Sequence, residues 1–255
     1  MNITIKNEDE IELMKVAGKV LGEALYHLKE MIKPGINCLE LDSFFKTFIE
    51  KNNCQSNFKN YYGYPAYTCI SVNEQLIHAI PRNYLLRSGD IVSIDAGCIY
   101  KGYNADAAFT KICGDSKDPE HTKLVEVTEK SLYLAIEKIS DGVRIGTLSS
   151  TIQKYVQGEG FYLPVEFSGH GIGKQMHEDP LVPNTGSDNT GMRLKEGMTI
   201  CIEPMVQIGT AKIKILDDKW TVVSKDSSMA AHFEHTILVT KKGYEILTTI
   251  KPMED

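Results

Sequence analysis

The sequence predicts an α+β protein in which two halves, each a pair of helices followed by short strands, pack into one domain around an antiparallel sheet, with any site between them. Three observations predict it. Helical periodicity gives way to strand-like runs twice along the chain. A shift of 107 positions lays the second occurrence on the first, superimposing Gly35 on Gly142, Ile36 on Val143, Leu41 on Leu148, Phe45 on Ile152 and Ile49 on Val156. The length, 255 residues, allows one large domain or two small ones, with an ample core. The expected organisation is a single domain over 1–255, with halves of about 1–115 and 116–255.

Residues 8 to 32 place Ile11, Met14, Leu21, Leu25, Leu28 and Ile32 at helical spacing, and Pro34-Gly35 stops them. A second helix follows from about Cys38 to Asn52, with Leu41, Phe45, Phe48 and Ile49 as its apolar stripe. Strand-like runs come next at 67–72, 76–80, 90–100 and 105–112, with Gly102 placed to turn the last two into a hairpin. The second half begins with the helix EHTKLVEVTEKSLYLAIEKI, ended by Asp141-Gly142, and another helix from Thr147 to Gln157. Its strand runs lie at 199–208, 220–224 and 233–240.

Composition excludes several classes. Hydrophobic residues make up 42% and charged residues 24%, and no stretch approaches the roughly 18 apolar residues of a membrane span. The start, MNITIKNEDEIELMK, lacks the basic and apolar pattern of a secretory signal, so a cytoplasmic location is expected. The six cysteines form no C-x-x-C pair and are expected to be reduced, buried thiols. A net charge of -6 without a basic block argues against a nucleic-acid surface.

Within SIDAGCIYKGYNADAAFT, Asp95 and Asp106 stand in apolar strand-like sequence with no basic neighbour. One reading puts Asp95 on a solvated face with Ser93 and Asp106 at a turn. The other buries them, which requires a partner or a metal. The second half supplies candidates. FSGHGIGKQMHEDP carries His170 and His177 among glycines that let backbone approach a ligand closely, and Glu203 in TICIEPMV is out of character in an apolar strand. Glu234 in AAHFEHTILVT either belongs to the same group or shares an outward polar face with His232 and Thr236. Together, Asp95, Asp106, His170, Glu203 and Glu234 make four carboxylates and one imidazole that a single sheet could gather. Clustered carboxylates repel unless protonated or neutralised, and divalent cations would neutralise them. Such a donor set suits manganese, iron, cobalt, zinc or magnesium better than copper.

These residues resemble the type I methionine aminopeptidases, a family with the pita-bread fold shared with prolidase and aminopeptidase P. The motifs that carry the resemblance are HAIP, SIDAG with a following AD, SGHGIG with MHEDP, CIEPMV and WTVVSKDSSMAAHFEHT, and they run nearly end to end. The resemblance implies pseudo-twofold halves and removal of an initiator methionine that precedes a small residue. It also implies two divalent ions of the cobalt, manganese, iron, zinc or nickel class. Asp95 would chelate one ion, Asp106 and Glu234 would bridge, and His170 and Glu203 would complete the other, with Glu203 also relaying the proton. His177 would stabilise the developing oxyanion and His78 would hold the nitrogen side of the scissile peptide. Tyr61, Tyr64, Cys69, Met176 and Trp220 fall at substrate-pocket positions. The expected partners are peptide and nascent-chain N-termini, with the ribosome as a transient neighbour, and the expected state is a monomer without membrane or nucleic-acid contact.

Three positions depart from the usual pattern. Ala79 replaces a common glycine, Asn104 stands where histidine often precedes the second aspartate, and Met176 stands where phenylalanine is frequent. None removes a ligand. A prolidase or aminopeptidase P would use the same five ligands, but Asp95 comes too early to leave room for the N-terminal domain of those enzymes. A type II enzyme is disfavoured because His177 and Glu203 lie only 26 positions apart. A binding protein that keeps the fold without catalysis is the third alternative.

Overall fold

The computed structural model of the chain describes residues 3–252. Helix α1 (Glu8–Met31) starts at Asn7, whose side chain accepts from the Glu10 amide while the Glu10 carboxylate accepts from the Asn7 amide. This reciprocal cap satisfies two donors that a helix start leaves unpaired. The stripe Met14, Ala17, Leu21, Leu25 and Leu28 is buried. Helix α2 (Cys38–Lys51) is capped by Asn37, which accepts from the Leu39 amide, and ends one residue before the expected Asn52.

Strands β1 (Gln55–Ser56), β2 (Thr68–Val72), β3 (Gln75–Ile77), β4 (Ile91–Tyr100) and β5 (Tyr103–Ile112) complete the first half. The β4–β5 pair is a hairpin with Tyr100 opposite Tyr103, and Lys101 and Gly102 both have positive φ (46° and 85°). Two such residues form the turn whose twist matches that of paired strands. Helix α1 lies on this hairpin, where the Cys98 thiol donates to the Ala17 carbonyl.

The second half opens with α3 (Pro119–Ile136), capped by Asp118, and α4 (Ile145–Gly158). Its strands are β6 (Ser168–Gly171), β7 (Glu178–Pro183), β8 (Thr199–Ile202), β9 (Met205–Gln207), β10 (Ile213–Ile215), β11 (Val222–Ser224), β12 (Ala230–His232), β13 (His235–Thr240) and β14 (Gly243–Ile246). Helices α2 and α4 begin at Cys38 and Ile145 and end at Lys51 and Gly158, the same 107 positions apart. Each is approached through a glycine at positive φ, Gly35 (91°) and Gly142 (86°), and each glycine amide donates to a distant loop carbonyl, that of Leu86 or Leu194.

The strands form two larger antiparallel sheets, β1-β4-β2 with β5 on β4, and β14-β13-β8-β6-β7. Two smaller pairings, β10-β11-β3 and β12-β9, flank them. The site therefore draws on two sheets rather than the single one expected. A seam joins them. Glu234 and Ala108 exchange backbone hydrogen bonds, the Thr236 hydroxyl bonds both the amide and the carbonyl of Asp106, and the Thr110 hydroxyl does the same for His232. Among the described residues no helix is long and apolar enough to cross a membrane, and all six cysteines are buried and unpaired.

Several expected strands are shorter than their apolar runs. The 199–208 run breaks at Glu203-Pro204, the 233–240 run begins only at His235, and the 76–80 run stops before His78. These breaks turn individual side chains out of the ladder.

Helix α1 also clasps the C-terminal segment through two glycines. A Cβ on Gly18 would stand 2.2 Å from the Leu247 carbonyl oxygen, and one on Gly22 the same distance from that of Thr249. Alanine normally gains about 1 kcal/mol over glycine inside a helix. Here the overlap is with backbone, so Gly18→Ala and Gly22→Ala are expected to destabilise by about 1–3 kcal/mol. Calorimetric melting should drop by several degrees, and a rise would refute the close packing.

Candidate metal centre and active site

All twelve residues singled out from the sequence line one cavity of about 130 Å³, together with Phe58 and Tyr62. That volume compares with the roughly 150 Å³ of an engineered cavity that admits benzene. One amino-acid side chain fits such a space.

The carboxylates reach it by distinct routes. Asp95 lies in the middle of β4, opposite Cys69 on β2 and Ala108 on β5, and Asp106 lies on β5 opposite Gly97. Glu234 follows β12 and is held by its exchange with Ala108, so the seam between sheets sets it beside the two aspartates. Glu203 sits between β8 and β9, where its carbonyl accepts from the Asn184 side chain. The solvated-face reading fails at both places. Ser93 and Asp95 are buried on a strand covered on both sides, and His232, Glu234 and Thr236 are each at most 3% exposed.

His170 lies on β6, and its Nδ1 donates to the Gly171 carbonyl at 2.9 Å. A carbonyl can only accept, so Nε2 carries the lone pair. It stands 3.6 Å from Glu203 Oε1 and 4.0 Å from Glu234 Oε1. The neighbouring glycines serve packing rather than ligand approach: a Cβ on Gly169 or Gly171 would lie 2.3 Å from the carbonyl oxygen of Cys201 or Asp179. His177 rests its ring against His170, centroids 4.3 Å apart, and its Nδ1 shares a 2.8 Å hydrogen bond with the Tyr61 hydroxyl. His78, just past β3, has a φ of 59°, a strained value for a non-glycine residue, and its ring meets the edge of Phe167.

The cavity wall is a small apolar cluster separate from the main core, comprising Phe58, Tyr64, Ala66, Cys69 and Met176, with Tyr61, Ile80 and Trp220 packed on it. The Tyr64 hydroxyl is spent on the carbonyls of Thr68 and Ala79, so its ring faces the cavity as an apolar surface. Trp220 meets that ring edge-on at 5.1 Å.

Electrostatics test whether a cation fits. Burial pushes the Asp95 carboxyl up to about 8. Asp106, Glu203 and Glu234 are driven well above the usual carboxylate range, first by burial and then by one another's charge and that of Asp95. Burial lowers His78 to about 4 and His170 to about 3, and lowers His177 as well, so these imidazoles are neutral at pH 7. Asp95 Oδ1, Asp106 Oδ1 and Glu234 Oε1 are buried without a hydrogen-bond partner. Unpaired acceptors and mutually repelling carboxylates fit a multivalent cation. Three groups of donor atoms have cation-binding spacing: Asp95 with Asp106 and Glu234, His170 with Cys201 and Glu234, and Glu203 with His232 and Glu234. Cys201 is engaged with the Thr236 hydroxyl and its thiol is raised by burial, which leaves an oxygen-rich set with imidazole. Sequence reasoning missed His232, because alternation assigned it to a solvated face.

Comparison with known proteins places these features in a family context. The model of metallopeptidase family M24 matches residues 12–241. A methionine aminopeptidase of Mycoplasma capricolum is 58% identical over 246 residues, spanning 96% of this chain and 98% of its own length. The crystal structure of methionine aminopeptidase from Thermotoga maritima superimposes with a TM-score of 0.95 at 43% identity, over 97% of this chain and 99% of that one. Prolidase from Pyrococcus furiosus superimposes with a TM-score of 0.77 at 25% identity, over 98% of this chain but 66% of its own.

The raised carboxyls set a pH dependence. A group whose pKa is higher folded than unfolded binds more protons in the native state, so stability falls as pH rises between the two values. For Asp95 that window runs from its ordinary 3.8 to about 8. Chelator-treated protein should melt at a lower temperature at pH 8 than at pH 5.5, and saturating Mn²⁺ should raise the melting temperature more at pH 8. A pH profile indifferent to metal would contradict the cation fit.

Proposed function

The chain belongs to metallopeptidase family M24, and from that premise we propose that it removes the N-terminal methionine from peptides and nascent chains whose second residue is small. It is a metal-dependent hydrolase of the N-terminal peptide bond. The observation that carries the reading is a juxtaposition: an oxygen-rich cation site at the floor of a cavity whose apolar wall has room for one side chain.

Asp95, Asp106 and Glu234 would hold one divalent ion, and His170 and Glu203, with Glu234 shared, a second. Bound there, such ions supply water at a pKa near neutrality and polarise a carbonyl. The remaining work falls to the chain's own residues. His170 is fixed by Gly171 so that only Nε2 faces the centre. Glu203, whose side chain is 13% exposed, would take a proton and return it to the departing amine. When the Tyr61 hydroxyl donates to His177 Nδ1, Nε2–H of the neutral ring is a preorganised donor for the developing oxyanion. His78, neutral and held in a strained backbone, addresses the nitrogen side of the scissile bond.

Methionine suits the wall of Tyr64, Cys69, Met176 and Trp220, because a polarisable thioether gains from contact with aromatic rings and sulfur. The free amine that an aminopeptidase requires would offer its lone pair to the cation centre, and an acylated nitrogen has none to offer.

The test is metal restoration to stripped protein, one ion at a time, with methionine release followed from Met-Ala, Met-Lys and X-Pro peptides. Release from Met-Ala alone is expected, and preference for X-Pro would transfer the assignment to the prolidase branch. Glu203→Gln should lower kcat by about 10²–10⁴-fold, the usual range for general acid–base groups, with an unchanged circular dichroism spectrum. Trp220→Ala should raise KM for methionyl peptides about tenfold, equivalent to about 1.4 kcal/mol, and leave kcat nearly intact. Unchanged kinetics would remove Trp220 from the pocket.

A further inference from the structure

His232 is 2% exposed, and both its ring nitrogens lack a hydrogen-bond partner. Leaving polar atoms buried and unpaired is costly, so such atoms are normally matched by a group that belongs to the working protein. Its backbone is fastened to β5, because the Thr110 hydroxyl accepts from its amide at 3.0 Å and donates to its carbonyl at 2.7 Å.

The ring lies beside two carboxylates of the metal centre. His232 Nε2 lies 3.8 Å from Glu203 Oε2 and 4.0 Å from Glu234 Oε2. These separations are too long for hydrogen bonds. They lie within the limit of roughly 4.2 Å that two ligands of one ion can reach with bonds near 2.1 Å. The relation to His170 is close to a mirror image: its Nε2 lies 3.6 Å from Glu203 Oε1 and 4.0 Å from Glu234 Oε1. Each glutamate therefore shows one oxygen to each imidazole.

We propose that Glu203, His232 and Glu234 form a further metal-binding triad, with His232 Nε2 as a sixth side-chain ligand of the centre. This rests on reading the cavity as a metal centre, and adds a second imidazole to the five residues that the family resemblance implies as ligands. A second nitrogen donor shifts preference towards ions that accept imidazole readily, zinc, iron or nickel, and away from magnesium. Coordination at Nε2 also leaves the ring proton on Nδ1, so one of the two unpaired atoms is satisfied.

The test uses the full chain labelled with ¹⁵N-histidine, stripped with chelator and titrated with Zn²⁺ alone. The Nε2 resonances are assigned with His170→Gln and His232→Gln. Both are expected to move to metal-bound positions in the titration. His232→Gln should weaken Zn²⁺ binding about 10–100-fold in competition with a chelator, the range typical when support for a metal site is lost. Movement of His170 alone, with undiminished affinity in a folded His232→Gln variant, overturns the sixth ligand and leaves the metal centre standing. If neither resonance moves, the centre itself is wrong. The wild-type titration decides the matter even if the variant does not fold.

Discussion

Four carboxylates cannot stay ionised in a dry space beside a few neutral imidazoles unless something positive joins them. Asp95, Asp106, Glu203 and Glu234 are all driven away from ionisation by burial, and three also by one another. Among the described residues no lysine or arginine is paired with any of them. The architecture makes this cluster and then prevents its escape. Asp95 and Asp106 hang from a hairpin whose two strands are paired along their full length, so neither aspartate can swing to water without unzipping the ladder.

The two halves divide the labour. The first contributes a rigid hairpin backed by α1, and the second contributes side chains at strand interruptions. Glu203 stands between β8 and β9, and Glu234 between β12 and β13. In an unbroken strand, alternate residues would point to opposite faces and only one register could serve the site. A break frees the side chain from that rule, and Pro204, which lacks an amide proton, makes the break after Glu203 permanent. Threonine hydroxyls close the resulting gaps: Thr110 and Thr236 supply hydrogen bonds where a continuous ladder would have used backbone. Position is thus set by the seam between sheets rather than by either sheet.

Legibility from sequence followed the same physics. The helices were readable because their apolar stripes repeat and their caps are local: Asn37 and Asp118 act within two residues of the amides they bind. The hairpin was readable because Gly102 announces its turn. Strands β6 and β7 were not expected as strands, since SGHG and EDPLVP lack the β-branched runs that mark one, and pairing across the sheet overrides that weakness. The five residues of the carboxylate–imidazole cluster could be named because charge in apolar sequence is conspicuous. His232 could not be separated from a solvated neighbour, because alternation says which face a residue takes and nothing about whether that face is covered.

The departures at Ala79, Asn104 and Met176 have physical content in the structure. Asn104 is 3% exposed, its amide donates to the carbonyls of Gly173 and Lys174, and its oxygen accepts from Asn57. Its own backbone amide also donates to Gly173. Three of these hydrogen bonds tie β5 to the segment that carries His170 and His177, the fourth fastens it to Asn57, and none reaches a carboxylate of the site. An imidazole at this position has two ring nitrogens and could not both donate twice to those carbonyls and accept from Asn57. Ala79 enters through its carbonyl, which every residue has, and Met176 fills a wall where shape is adaptable. Variation at these positions thus bears on how the two halves are fastened and how the socket is shaped, while the charge balance that requires a cation is untouched.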